Sequence, residues 1–331
     1  MKIRKTATLI VAVSALLLVL VFWGLFSGSV PISLTAMGHI LTGVDRDSVA
    51  AKIIIDLRLP RMVMAILVGM MLASGGTISQ AVFRNPLADP YIIGISSGAA
   101  AGASLAFILK LPDIFYGVFA FMVSVGTAFL IFRLSGNQGK RDTAALLIVG
   151  VAISAFLGAV TSFLMYLAGQ DAYRVMIWTM GYLGSASWLR VGLLLVPLAL
   201  ALLYFLYYRQ DVDALLLGDE EAHSLGIRVG SLKRQLLMVV SLIAAFSTAF
   251  TGMIGFVGLI VPHGVRLCIG NSHGRLLPVA AYTGGVFLLL ADTLARNLIA
   301  PVEIPIGVVT AFFGAPFFLF LAVRREPGAA V

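Results

Sequence analysis

The chain has 331 residues, of which 60% are hydrophobic and only 11% charged, and its mean hydropathy is +1.03. These values exclude a soluble globular domain and indicate a polytopic membrane protein. The formal net charge of +8 would suggest nucleic acid as a partner of a soluble protein. In a membrane protein the location of the charges decides their meaning, and we expect no nucleic-acid partner.

Apolar runs long enough to cross the roughly 30 Å core of a bilayer recur along the whole sequence. They predict an all-α membrane protein with about ten transmembrane helices in a single domain, residues 1–331, with no separate soluble domain. The predicted spans are residues 7–26, 61–82, 93–109, 115–133, 143–168, 189–208, 235–252, 255–269, 275–298 and 305–323.

The basic start MKIRK could begin a secretory signal peptide, but its apolar run is long and SGSV lacks a clean cleavage pattern, so we expect an uncleaved first span. With both termini in the cytoplasm, 15 Lys and Arg residues fall on that side and 8 on the other. The positive-inside rule favours this orientation.

The stretch RNPLADPYIIGISSGAAAG, residues 84–102, interrupts the apolar pattern. Pro86 and Pro90 end the second span, because proline cannot continue a helix and restricts the residue before it. Gly94, Gly98 and Gly102 then recur every four residues and flatten one helix face. Two interpretations stay open for this face: a helix beside a translocation path, or a tight packing seam.

The segment at residues 170–188 is amphipathic and aromatic, with Tyr173, Trp178, Tyr182 and Trp188. Tyr and Trp are typical of the membrane boundary, so these side chains are most simply interface anchors. A short helix that closes the outer mouth of a pore is the alternative.

The polar segment DVDALLLGDEEAHSLGIRVGSLKR, residues 211–234, holds five of the 15 acidic residues and lies on the predicted cytoplasmic side. Acids from Asp219 to Glu221 suit the positive end of a helix, and Gly226 suits the position after its last turn. Ala222 and Leu225 are spaced for an i, i+3 apolar contact. The pattern predicts short amphipathic helices that could dock in a groove of a soluble partner, or else a solvated loop.

Charges near the end of the chain have local explanations. Asp292 and Arg296 lie one helical turn apart in the ninth span and are expected to compensate each other. Glu303, between two prolines, is expected near the outer surface, where it could face a docking protein or water. Pro262 and His263 are interpreted as a polar break at a cytoplasmic span end.

Neither metal chemistry nor ATP hydrolysis is predicted for this chain. Its four His residues lack metal-ligand spacing, and its one cysteine, Cys268, excludes an internal disulfide. The string GNQGKR differs from a phosphate-binding loop in spacing and lacks the hydroxyl residue. We therefore expect no cofactor and no enzyme activity, with any ATPase in a separate subunit.

Five ordered motifs together resemble the FecCD-type permeases of type II ABC importers, the family that takes up vitamin B12, ferric siderophores and haem. The motifs are RNPLADPYIIGISSGAAAG, LGDEEAHSLGI, GMIGFVGLIVPHGVRL, LLLADTLAR and EIPIGVVTAFFGAPFFLFL, and the resemblance spans residues 55–325. It implies a ten-span permease in the cell (inner) membrane that pairs with a second permease copy, by default as a homodimer. It also implies two cytoplasmic ATPases, an external substrate-binding protein and alternating access at the dimer interface.

The resemblance also implies roles for particular residues. Within the cytoplasmic segment 211–231, the ATPase-coupling residues would be Gly218, Asp219, Glu220, Glu221, Ala222, His223, Leu225 and Gly226. The translocation path and its gate would involve Ser96, Ser97, Gly98, Tyr173, Met176, Trp178 and Gly181. Glu303 would contribute to docking of the binding protein.

On this basis we expect import of an iron chelate, haem or a siderophore, with vitamin B12 as the alternative cargo. A proton- or sodium-coupled secondary transporter is the competing class. It would usually need acidic residues buried in several spans, and only Asp292 is a good candidate. A membrane-embedded enzyme is a third class, but the sequence contains no nucleophile–base or metal constellation for it.

Overall fold

The computed structural model describes residues 2–28, 30, 32–41, 48–91, 94–135, 143–169 and 172–324. These residues form α-helices and turns, with no β-strand among them. The helices are α1 (Lys2–Phe26), α2 (Leu34–Leu41), α3 (Val49–Lys52), α4 (Leu59–Val82), α5 (Ile95–Ile108), α6 (Ile114–Leu134), α7 (Thr143–Ala168), α8 (Ala172–Thr179), α9 (Trp188–Tyr207), α10 (Arg209–Leu215), α11 (Asp219–Ser224), α12 (Val229–Thr251), α13 (Val257–Ile269), α14 (His273–Asn297) and α15 (Ile306–Arg324).

The prediction of about ten apolar spans is confirmed. In the described part of the chain, seven helical stretches are long and apolar enough to cross a membrane, and α5, α13 and α15 contain shorter apolar stretches. The second span is longer than predicted, because a π-helical turn at Ile53–Arg58 joins α3 to α4. Large apolar side chains on α1, α7 and α9 are exposed, as expected for helices that contact lipid.

Helix α4 lies at the centre of the bundle and packs against α9, α12, α13 and α14. Its glycines permit close approach to two of these neighbours. A Cβ atom on Gly69 would overlap the carbonyl group of Gly284 in α14, and one on Gly76 would overlap Gly258 in α13. Because small residues let helix backbones come into contact, α4 and its neighbours form a tightly packed unit.

The span predicted at residues 255–269 is confirmed as α13, but the polar break predicted within it at Pro262 and His263 is wrong, because the helix continues through both residues. Proline lacks an N–H group and leaves the carbonyl four residues earlier without its helical partner. Here that carbonyl belongs to Gly258, and it accepts a 3.2 Å hydrogen bond from Nε2 of Gln80 in α4. The side-chain amide replaces the missing backbone donor, so the helix tolerates the proline.

Candidate functional site: a coupling surface and the opposite end of the bundle

The polar segment folds as two short helices, α10 and α11, at the end of the bundle where α4 and α9 finish and α12 and α14 begin. We call this the coupling end, after the role predicted for the segment from the sequence. Helix α11 terminates in a Schellman motif. The N–H of Gly226 donates to the His223 carbonyl at 2.9 Å, and the N–H of Ile227 donates to the Ala222 carbonyl at 3.1 Å. Gly226 adopts a φ of +88°, a conformation that favours glycine, which explains this residue at the helix end.

Ion pairs hold α11 against the membrane helices. The ammonium of Lys233 in α12 donates to both carboxylate oxygens of Asp219 at 2.8 and 2.7 Å. Arg84, from the break after α4, places its guanidinium 3.9 Å from the same carboxylate. The first of the three acids in α11 therefore anchors the helix, and the break after α4 contacts the coupling segment.

A second contact ties α10 to the start of α14. Oδ1 of Asp213 lies 2.6 Å from Nδ1 of His273 and accepts a hydrogen bond from the His273 backbone N–H at 2.9 Å. Burial alone would raise the pKa of the Asp213 carboxyl, but the contacts from His273 outweigh it and the pKa is lowered. This carboxylate is therefore charged at neutral pH and fixes α10 to α14.

The opposite face of α11 is open. Glu220, Glu221, His223 and Leu225 are exposed, and Leu225 keeps 65% of its surface accessible. Ala222 is fully buried against the bundle, so the expected Ala222–Leu225 apolar edge does not form. The reason is that α11 ends before Leu225, which is its C-cap residue and lies exposed instead of packing with Ala222. The result is an acidic surface with one protruding apolar side chain.

The predicted gate residues lie on and after α8. Tyr173 and Met176 are exposed, whereas the indole of Trp178 packs against Ala99, Ala103 and Ala120. Helix α8 therefore reaches the helix that carries Ser96 and Ser97. Gly181 is buried with a φ of +87°, and its carbonyl accepts a 3.1 Å hydrogen bond from the N–H of Ile306. The turn after α8 is thus joined to the start of α15.

The glycine face of α5 forms a packing seam in the folded chain. A Cβ on Gly98 would approach Thr127 Oγ1 to 2.7 Å, and one on Gly102 would overlap the Phe119 carbonyl. Both contacts are with α6. Ser96 and Ser97, on the same helix, are half-buried. A role for Ser96, Ser97 and Gly98 along a translocation path stays a prediction.

A buried charge network lies at the opposite end of the bundle from α11. Asp292 in α14 is fully buried, and its Oδ1 accepts a 3.0 Å hydrogen bond from Nε of Arg61 in α4. Its Oδ2 lies 3.2 Å from Nε of Arg296, which is the ion pair predicted from the i, i+4 spacing. Nη1 of Arg61 also donates to both carboxylate oxygens of Glu303 at 3.0 Å. Glu303 is therefore already paired, with 36% of its side chain exposed.

Sequence reasoning missed Arg61, Lys233 and Arg84 as members of these sites, because their partners lie far away along the chain. Among the described residues no group of three His, Cys, Asp or Glu side chains could hold a metal ion.

Comparison with known proteins shows what the whole chain resembles. The profile of the FecCD transport family matches residues 16–324. The chain is 45% identical over 280 residues to the cobalamin import system permease protein BtuC of Halobacterium salinarum, covering 84% of this chain and 75% of that protein. It is 43% identical over 282 residues to the hemin transport system permease protein HmuU of Yersinia pestis, covering 82% and 83%.

A solved structure extends this likeness to the fold. It is described as an inward-facing conformation of a metal-chelate type ABC transporter, and it matches with a TM-score of 0.80 and 30% identity. The match covers 94% of this chain and 98% of that one.

Proposed function

The chain belongs to the FecCD transport family, and from this membership we propose that it imports a bulky metal chelate as the permease subunit of a type II ABC importer. Homologues in this family are permeases rather than enzymes, and ATP hydrolysis lies in separate subunits. These permeases work with ATPase and substrate-binding partners. The chain's own task is to form the path across the membrane and to couple it to the ATPases.

The exposed surface of α11 is the observation that carries the coupling role. Its acids and Leu225 protrude from the bundle, while Lys233, Arg84 and His273 tie the segment to α4, α12 and α14. A partner that pushes on α11 therefore pushes on membrane helices and not on a free loop. This is the arrangement that an ATPase-driven change between outward- and inward-open states requires.

We place this surface in the cytoplasm, with both chain termini, in the cell (inner) membrane. The charge bias of the sequence supports this orientation. Two copies of the chain would enclose the path, and the external binding protein would dock at the end that carries α8 and Glu303. The pairing of Glu303 with Arg61 leaves part of the carboxylate accessible for such contact.

For the cargo we propose an iron chelate, haem or a siderophore. The hemin permease similarity supports it. The cobalamin permease similarity supports a corrinoid equally well, and this is the second candidate. A conjugated macrocycle or a ferric centre gives a distinctive absorption spectrum, so the ligand of the cognate binding protein distinguishes haem, corrinoid and ferric catecholate directly.

The test is uptake into vesicles that contain the full chain with its ATPase and binding protein. We expect uptake to need internal ATP and to be indifferent to ion gradients. Uptake driven by a proton or sodium gradient without nucleotide would refute the importer proposal.

A matched pair of variants tests the coupling surface itself. Leu225→Ala should weaken ATPase binding at least about fivefold, because truncating an exposed anchor that a partner buries removes roughly 1 kcal/mol or more of binding free energy. Leu134→Ala is the control, since Leu134 is 57% exposed at the end of α6 but lies outside the coupling segment. Equal binding by both variants would assign the ATPase contact to another surface.

A further inference from the structure

A cavity of about 610 Å³ lies at the end of the bundle opposite the coupling end. It is lined by the last two turns of α12, the starts of α6 and α9, the second half of α5, and α8 with the predicted gate residues Tyr173 and Trp178. Val118 of α6 and Leu193 of α9 both line it and are 42% and 48% exposed. Apolar side chains of α6 and α9 that line the cavity therefore reach the surface of the chain. We call it the lateral crevice.

Apolar and aromatic side chains line most of the lateral crevice. They include Phe121 on α6, Leu193 on α9, and Phe246 and Phe250 on α12. The volume of the cavity lies within the range of roughly 300–1,000 Å³ that is usual for small-molecule ligand pockets. A free inorganic anion would leave this apolar wall uncovered.

Charged groups also line the lateral crevice. Arg174 on α8 holds its guanidinium 5.7 Å from the centre of the Phe107 ring, and Arg190 on α9 contacts the hydroxyl of Ser185. Asp113, directly before α6, lines the same cavity and is exposed. Neither the coupling contacts nor the network around Asp292 involves these three residues. Two cations and one anion therefore border a largely apolar space whose apolar lining reaches the surface of the chain.

We propose that the lateral crevice binds one membrane phospholipid with an amine headgroup. The lipid phosphate pairs with Arg174 and Arg190, because guanidinium groups match phosphate oxygens in charge and geometry. The headgroup ammonium pairs with Asp113, and an acyl chain lies along Phe121 and Leu193. A lipid with only negative headgroup charge would lack a partner for Asp113, so an amine lipid is preferred.

The experiment measures lipid binding to the purified full-length chain by native mass spectrometry, after delipidation and titration with phosphatidylethanolamine, phosphatidylglycerol or phosphatidylcholine. Wild type should retain one phosphatidylethanolamine per chain most tightly. The double variant Arg174→Gln with Arg190→Gln should bind it at least about tenfold more weakly, since two charge-assisted hydrogen bonds are lost. Asp113→Asn should remove the preference for phosphatidylethanolamine over phosphatidylglycerol and keep the latter bound.

Two further variants separate the lateral crevice from general surface charge and from misfolding. Lys52→Gln with Lys110→Gln removes the same charge from exposed residues that do not line the crevice, and it should bind lipid like wild type. Leu193→Trp keeps all charges but fills the crevice, and it should expel the lipid while its elution volume on size exclusion stays unchanged. Equal retention of all three lipids, or unchanged binding in both crevice variants, would overturn the proposal. Displacement of the lipid by haem or a corrinoid would assign the lateral crevice to the cargo and would also overturn it.

Discussion

Replacing Asp292 with Asn tests the buried charge network most directly. The substitution keeps the size of the side chain, so it creates no cavity and changes only charge and hydrogen bonding. In the native chain Asp292 is fully buried, with Arg61 Nη2 at 2.9 Å and Arg296 Nε at 3.2 Å from its two oxygens. Without this carboxylate, the buried guanidinium groups of Arg61 and Arg296 have only Glu303 as a nearby acid among the described residues.

The expected change in the free energy of unfolding depends on which arginine loses its ion-pair partner. Removing one partner of a buried ion pair costs about 3–5 kcal/mol, chiefly because the other charge stays buried without compensation. Arg61 keeps its two 3.0 Å hydrogen bonds to Glu303 after the substitution. Arg296, only 8% exposed, is then the isolated cation. Because one of the two arginines stays paired, we expect a loss near the lower limit, about 3 kcal/mol in the free energy of unfolding.

The assay is reversible unfolding of the purified chain in mixed micelles by titration with a denaturing detergent. Asp56→Asn is the matched control, since Asp56 is exposed and its substitution should change stability by less than about 0.5 kcal/mol. Adding Arg296→Met to Asp292→Asn removes the isolated charge and should restore part of the loss. A loss below about 1 kcal/mol, or no recovery in the double variant, would refute the reasoning.

Three further outcomes are expected. Lys233→Met removes the ammonium that anchors α11 and should weaken ATPase binding about tenfold in a binding titration without loss of yield; unchanged affinity would contradict the anchoring role. The contacts with His273 lower the pKa of Asp213 in the folded chain. The charged carboxylate therefore stabilises the fold above its ordinary pKa of about 4, and this stabilisation is lost as the pH falls through the lowered pKa of the folded state. Asp213→Asn should therefore melt below wild type at pH 7, and the two melting curves should converge in strong acid; a constant difference down to pH 2 would exclude this linkage. Gly98→Leu should reduce the yield of folded protein because it clashes with α6, whereas Gly126→Leu, which meets open space, should not; equal yields would argue against the packing seam.

Much of the fold could be predicted because bilayer thickness sets the length of apolar runs. The predicted span 115–133, for example, is helix Ile114–Leu134 in the structure. The start of the second span could not be read in this way. The predicted span begins at residue 61, but the helical stretch begins at Val49 and continues through Asp56 and Arg58. The guanidinium of Arg58 donates to the carbonyls of Leu25 and Val30. The acceptors lie in the last turn of α1 and just after it, and no pattern near Arg58 in the sequence signals that contact.

In the coupling segment, too, features set by neighbouring residues could be predicted from the sequence, whereas contacts between distant residues could not. Its helix was predictable because the acidic start and Gly226 act within one turn of their own positions. Its anchoring was not, because Lys233 and His273 lie 14 and 60 residues from their carboxylate partners. The i, i+3 spacing of Ala222 and Leu225 was misleading, because it assumes a helix that continues through Leu225, whereas α11 ends at Ser224.

The two ends of the protein are joined by one helix. His273, at the first residue of α14, contacts the coupling segment through Asp213, and Asp292, near its last turn, contacts Arg61 in α4. Between these points α14 packs backbone to backbone against α4 at Gly284 and Gly69. A close-packed contact of this kind resists sliding, because the facing carbonyl and Cα atoms leave no free space. A force applied to α10 is therefore delivered to α4 and α14 together, and these two helices carry the charge network at the opposite end of the bundle. The ion pairs of Asp292 with Arg61 and Arg296 are costly to desolvate, but they fix the geometry of α4 and α14 at that end of the bundle. A force delivered through the two helices therefore acts on a defined structure.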